Sequence, residues 1–454
     1  MAENKQQIQE DTVAIILQRQ LFGWQEINEL GDLQRLDLVL RHLPDEPLML
    51  VLESHRGRGR DDYPVRAVWN SLIAGVVFGH ERVASLRREL LRNAQLRQVC
   101  GFDVSKGCDA VPSARAYSEF LGNLLDEEEQ MQQMFDRVVE KLKELLPGMG
   151  KHLAVDGKAI ASYARGKREG KTKKQDPGRR RDTDAQWGRH ESSGKGEDGS
   201  RWRKEKVWFG YTLHLMVDSE YELPVAFELT DAKASEVKEG HRLLDGLADR
   251  HPQLVQRCKT IEADRGYDDG KLILKAWDTY QVAPVIDIRN CWKDGEKTKL
   301  VKGTENVVYD YRGTVYCVRM NDGVHQEMAF GGFEKDRKTL KYRCPAEQYG
   351  VECPQKGKCA VGKAVRIPMS EDRRVFTPIA RSSYKWQRTY NKRSSVERVN
   401  SRIDVSYGFE HHTIRGKRKM KVQCGIALSV MLAMALGRVS ENQEKLMRSL
   451  VRTA

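Results

Sequence analysis

Residues 258–267 read Cys-Lys-Thr-Ile-Glu-Ala-Asp-Arg-Gly-Tyr. The run Cys258–Ala263 has the length and apolar content of a short buried strand, and it stops on Asp264 just before a glycine turn. A second stretch has the same form: Leu153-Ala154-Val155 is short and apolar and ends on Asp156-Gly157. Two strands that each finish on an aspartate predict a mixed α/β core with a site at its strand ends.

The surrounding chain fits that core. Val207–Val217 and Leu223–Thr230 read as a strand pair around the turn Asp218-Ser219-Glu220-Tyr221. A helix is expected over Ser235–Ala248, another over Gly270–Thr279, and a strand over Val282–Ile288. Residues 292–380 read as a β-rich, cysteine-containing insertion, in which Asn306–Met320 alternates around an Arg312-Gly313 turn. Helices follow from near Trp386 to Ile403 and over Lys417–Val439. The order is therefore strand, hairpin, helix, strand, helix, strand, insertion, helix.

Residues 1–147 read as helical. Val65, Val68, Trp69, Leu72, Ile73 and Val76 repeat at threes and fours behind Pro64, which suits a helix start. A helical run is expected over Glu81–Val99, and a third begins behind Ser113 as N-cap. Pro147-Gly148-Met149-Gly150 closes this region. The expected organisation is an N-terminal domain over 1–147, the first part of the core over 150–291, the insertion over 292–380 and the core's C-terminal helices over 381–454.

Asp156 and Asp264 lie 108 positions apart, and Glu397 follows 133 positions later. Cleaving a phosphodiester by in-line attack uses two divalent ions about 4 Å apart. Mg²⁺ takes hard oxygen ligands, one or two of them protein carboxylates beside substrate phosphates. Two strand-end aspartates and a helical glutamate supply that set. Tyr390, Arg393 and Glu397 fall at i, i+3 and i+7, on one helix face. A guanidinium beside a carboxylate and a phenol suits a face against DNA phosphate, with arginine gripping through two N–H groups.

These residues resemble the signature of the DDE transposases of bacterial insertion sequences. Val155-Asp156-Gly157-Lys158 is similar to their first-aspartate strand, and Ala263-Asp264-Arg265-Gly266-Tyr267-Asp268 to their second. Tyr390-Asn391-Lys392-Arg393-Ser394-Ser395-Val396-Glu397 matches their tyrosine, two residues, arginine, three residues, glutamate pattern. Phe209-Gly210-Tyr211 with His214 resembles the second strand of the same core. The family pattern adds a lysine seven residues after the glutamate, and this chain has Asp404 there. The resemblance implies an RNase-H-like α/β fold behind an all-α N-terminal DNA-binding domain. Asp156, Asp264 and Glu397 would be catalytic and hold two Mg²⁺, with Mn²⁺ as a substitute. Lys158, Tyr390, Arg393, Arg398 and Arg402 would contact DNA. The implied activity is cutting at transposon ends and transfer of the freed 3′-hydroxyl into target DNA, by a homodimer on terminal inverted repeats and target. A hydrolysis-only nuclease of the same fold and a non-catalytic DNA-binding descendant are the alternatives.

Other readings of single residues stay open. Asp156 before glycine suits a turn. Asp268 or Asp269 offers a replacement for Asp264, Glu262 alternates with it, and Glu397 suits an ion pair with Arg393.

The chain's 454 residues carry a formal net charge of +13, which favours an acidic partner. Between Arg165 and Arg181 nine Lys/Arg face two acids, within a polar loop expected to be flexible over 165–206. From Arg381 to Met420 eleven Lys/Arg face three acids. The N-terminus shows no signal pattern, and the apolar run Cys424–Leu436 is too short to span a bilayer, so the expectation is a cytoplasmic, nucleoid-associated protein. Nine cysteines read as reduced thiols. Cys344, Cys353 and Cys359, with Cys317, lack the tight pairs of zinc ribbons; plain thiols are expected, with structural zinc as the alternative. His411-His412 suits a surface or DNA-facing place.

Overall fold

The computed structural model of the chain describes residues 30–56, 63–164, 182–195, 200–356, 359 and 361–449. Of the two expected basic segments, 165–181 lies outside the described residues. The chain divides into two compact units, residues 131–432 and residues 1–130 with 433–454.

The N-terminal part of the smaller unit is helical as its periodicity predicts: α1 Gln34–His42, α2 Glu46–Arg56, α3 Val65–Val77, α4 Val83–Arg92, α5 Ala94–Cys100 and α6 Ala114–Asp126. Ser113 caps α6 by accepting from the Ala116 N–H at 3.1 Å. The helix expected over Glu81–Val99 is two helices. Asn93 takes an extended conformation, and its side chain accepts from Leu96 N at 3.0 Å, so it caps the second half instead of continuing the first. Buried Trp69 donates its indole N–H to Asp45 at 2.6 Å, which holds α3 to the start of α2. α7, Glu128–Leu145, runs from this unit into the larger one.

The larger unit is built on a mixed sheet. Its strands are β1 His152–Ala161, β2 Gln186–Lys195, β3 Arg201–Asp218, β4 Leu223–Asp231, β5 Thr260–Ala263 and β6 Ala283–Ile286. β4, β3 and β1 are antiparallel neighbours, then β5 and β6 continue in parallel with β1. This is the mixed sheet that the strand order predicts, in the RNase-H-like form that the resemblance implies. Helices α8 Glu236–Arg250, α9 Pro252–Arg257 and α10 Gly270–Asp278 connect the parallel strands.

The loop expected over 165–206 requires correction. Residues 186–195 and 201–206 form an antiparallel ladder, β2 with the first half of β3, from Gln186↔Gly210 to Lys195↔Arg201. Residues 201–207 are exposed on this arm. Its polar composition hid the strands: an exposed two-stranded ribbon needs no apolar face, so the ladder and cross-strand pairs such as Arg203–Glu191 at 2.6 Å hold it.

The insertion is β-rich, as expected. β7 Lys299–Leu300, β8 Val307–Tyr309, β9 Val315–Val318 and β10 His325–Glu327 form one antiparallel sheet. β11 Ala329–Glu334, β12 Thr339–Arg343 and β13 Ala364–Pro368 form a second, with the short helix α11 Pro345–Gln348 between the last two. The sheets share a core of Val307, Val315, Leu340, Tyr342, Ile367 and Phe376.

Beyond the insertion come α12 Tyr384–Tyr390, a 3₁₀ turn at Asn391–Arg393, α13 Ser394–Val405 and α14 Lys417–Ser440. By length and composition α14 would cross a membrane, but 94% of its apolar window is buried inside the protein. It is a core helix, and the expectation of too short an apolar run holds only for the sequence segment, not for the full helix.

Candidate active site

Strand register brings the first two carboxylates together. β1 and β5 are parallel, and Val155 pairs with Ala263. The next residue after each is the aspartate, so Asp156 and Asp264 stand side by side where the β1–β5 ladder ends, on strands about 4.8 Å apart. β5 does stop at Asp264, but the expectation that the first strand stops at Asp156 is corrected: β1 continues through Asp156 to Ala161 because β3 goes on pairing with it. The Asp264 carboxylate accepts from Gly266 N at 2.8 Å, which fixes the turn that follows β5.

A third acid stands with them that the sequence did not single out. Glu236 is the first residue of α8, where the helix N-terminus favours negative charge. A side chain on Gly266 would collide with its carboxylate, and one on Gly157 would come within 3.4 Å of its Oε1. Gly266, two residues after Asp264, therefore makes room for Glu236, while Gly157 lies within the β1 strand and is packed first against Thr212. The polar run Asp231–Lys238 around Glu236 concealed this acid.

Glu397 reaches the same place from α13. Asp156, Glu236, Asp264, Arg393 and Glu397 line one cavity of about 680 Å³. Trp187, Arg189, His190, Lys206 and Trp208 of the β2–β3 arm line it too. On β3 opposite Gly157, buried His214 lies 3.0 Å from the Thr230 hydroxyl, and burial lowers its pKa to about 4, so the ring is neutral.

The charges in this cavity are poorly compensated. Burial, then the neighbouring Asp264 charge, pushes Asp156 up to about 7, while the Arg393 guanidinium pulls it down. Burial and Asp264 likewise push Glu236 up to about 6. Carboxylates that repel one another in a partly dry pocket are a hard-oxygen donor set of the kind Mg²⁺ takes. That donor chemistry fits a divalent ion. Among the described residues, however, no three His, Cys, Asp or Glu side chains form a ready cage. Glu397 explains part of this: its Oε1 is held by Arg393 at 2.7 Å, and its side chain is half exposed.

The helix face of Tyr390, Arg393 and Glu397 is present despite the 3₁₀ turn in its middle. Tyr390 stacks on Trp386, with ring centroids 4.7 Å apart, and the Arg393 guanidinium lies over the Tyr390 ring at 5.8 Å. Tyr390 is thus a platform for Arg393 as well as a neighbour of the cavity.

Other expected residues lie elsewhere. Lys158 is buried, and its ammonium donates to Asp404 at 2.5 Å. Lys158, expected at a DNA contact, is thus engaged in an ion pair with the partly exposed Asp404, the very position where the family pattern carries lysine. Arg398 donates to Glu222 Oε1 at 2.6 Å and Arg402 to the Glu222 carbonyl, so both hold the β3–β4 turn. None of these three lines the cavity. Glu262 is fully buried against Ser219 and Thr260. Asp268 is paired with Arg374, and Asp269 caps α10 at Leu272 N, 2.8 Å. These placements leave Asp264 as the acid of its segment that faces the cavity. The Cys317, Cys344, Cys353 and Cys359 side chains, scattered in sequence, line a separate small recess.

Residues 149–433 match the family described as transposase DDE domain. A solved structure of a piggyBac transposase synaptic complex with hairpin DNA aligns over 94% of this chain and 80% of that one, at 12% identity and a TM-score of 0.39. Comparison with curated protein sequences finds no match.

Proposed function

Because the chain belongs to the transposase DDE domain family, we propose that Asp156, Asp264 and Glu397 are the catalytic carboxylates of an insertion-sequence transposase. The observation that carries this reading is the shared cavity: two aspartates at the end of the β1–β5 ladder and a helical glutamate from 133 positions further on face one space. A family member needs such a convergence, and chance burial of acids does not produce it.

The residues divide the work. Asp156, Asp264 and Glu397, with Glu236 behind the two aspartates, would hold Mg²⁺ or Mn²⁺. Bound there, two divalent ions supply activation of the attacking oxygen and charge neutralisation at the phosphoryl group. Arg393 moves from Glu397 to a backbone phosphate when DNA enters, which frees the glutamate. Tyr390 holds the guanidinium's approach. The exposed β2–β3 arm and the basic segment 381–420 neutralise further phosphates, so affinity falls steeply with salt. The helices before residue 131 recognise the transposon end. Water attacks first, giving a free 3′-hydroxyl, and that hydroxyl then attacks target DNA in the same cavity. Bringing two ends together requires two such sites, hence a homodimer on DNA.

A strand-transfer assay tests this reading. Purified protein, Mg²⁺, a pre-cut terminal-repeat duplex and a target plasmid should give joined product. Hydrolysis of the duplex without any joined product would leave a nuclease instead.

A further inference from the structure

Four of the chain's cysteines come from separate points of the insertion. Cys317 is on β9, Cys344 directly follows β12, and Cys353 and Cys359 lie in the irregular stretch before β13. All four line one recess of about 30 Å³, with Asn306, Arg319 and Lys356 at its walls. We propose that these four thiols bind a structural zinc ion that ties residues 344–363 and the second sheet to the first.

The recess is the size of a single small ion or water, and four of its lining side chains are cysteines, beside Asn306, Glu347 and Gln355. Four cysteines on one recess supply the ligand set of closed, tetrahedral structural zinc. Hydrogen-bond donors already point at two of them. The Asn306 amide stands 3.6 Å from Cys317 Sγ and 3.5 Å from Cys359 Sγ, and Val361 N–H donates to Cys359 Sγ at 3.4 Å. Amide donors aimed at sulfur are the second layer that orients thiolates on a metal.

The segment also needs such a fastening. Among the described residues of 349–363 none is buried, and no strand or regular helix runs through them. Val361 packs against the insertion's core, but an irregular stretch with so little apolar burial is held in small domains by a metal or a disulfide, and these cysteines are all free. No three of the described His, Cys, Asp or Glu side chains form a finished cage. Metal binding therefore draws the thiols together as the segment settles, the usual coupling of zinc to folding.

Metal analysis of the full-length chain, purified without chelator and exchanged into Mg²⁺ buffer, provides the test. One zinc per chain is expected. Cys353→Ser with Cys359→Ser should remove it, while Cys108→Ser with Cys291→Ser, two exposed thiols outside the recess, should leave it. Should the first pair misfold, the unmutated chain still decides: Co²⁺ exchange should give a thiolate-to-cobalt charge-transfer band with a tetrahedral visible spectrum. Chelation should also open residues 349–363 to protease while the rest of the chain resists. Absence of zinc after refolding with it, an iron–sulfur chromophore in its place, or full retention in the Cys353/Cys359 variant would overturn the proposal. None of these readouts depends on DNA cleavage.

Discussion

Asp156→Asn tests the electrostatics of the cavity most sharply. In the metal-free protein Asp156 is held at about 7 against its usual 3.8, first by burial and then by Asp264. Its folded pKa lies above its unfolded one. The folded chain therefore binds the extra proton between those values and loses stability as pH rises from about 4 to about 7. At about 1.4 kcal/mol per pH unit, the full difference corresponds to about 4 kcal/mol, and relaxation of the site brings the expected effect to roughly 2–4 kcal/mol. Asparagine keeps the shape without the charge. The variant should thus be more stable than the parent by that amount at pH 8 without metal, with the gap closing toward pH 4. Adding Mg²⁺ at pH 8 should stabilise the parent and barely affect the variant. Urea unfolding at both pH values, with and without Mg²⁺, reads all of this. A variant no more stable than the parent at pH 8 would refute the view that Asp156 is a strained, uncompensated charge.

Three further outcomes follow from named contacts. Gly266→Ala should lose about 1–3 kcal/mol, because its new methyl meets the Glu236 carboxylate, and Glu236→Ala in the same chain should recover most of it in thermal unfolding. Asp404→Ala should lose about 1–3 kcal/mol by stranding the Lys158 ammonium, which is 9% exposed, and adding Lys158→Met should restore stability. Arg393→Ala should weaken binding of an end oligonucleotide and flatten the slope of log affinity against log salt by about 0.9, with Arg393→Lys recovering only part; an unchanged slope would make Arg393 merely the holder of Glu397.

Much of the fold was legible because hydrophobic period and turn residues carry it. The strand end at Asp264, the hairpin of β3 and β4, the β-rich insertion and the long helices all came from short-range pattern, whereas β1 runs on past Asp156 to Ala161 through polar and glycine positions that read as a turn. Register then followed from the strands: once β1 and β5 are parallel neighbours, Val155 opposite Ala263 sets the two aspartates together. What stayed hidden depended on contacts between distant polar residues. The β2–β3 arm has no apolar face to announce it. Glu236 sits in a polar run, and only the space kept by Gly266 shows its place. Lys158 looked like a free basic residue beside the site, because its partner Asp404 is 246 positions away. The four cysteines are spaced irregularly along the chain, and only the folding of β9 beside the loop after β12 brings them to one recess.

The most direct measurement of the central assignment is single-turnover cutting of a terminal-repeat duplex in Mg²⁺ by the unmutated chain and by Asp156→Asn, Asp264→Asn and Glu397→Gln, with duplex affinity measured alongside. Cutting should fall to background in all three while affinity stays close to that of the parent, since removing a hard-ion ligand removes the chemistry and spares the phosphate contacts. Cutting that persists in any one of them would remove that residue from the site, and cutting that persists in all three would place the chemistry elsewhere on the chain.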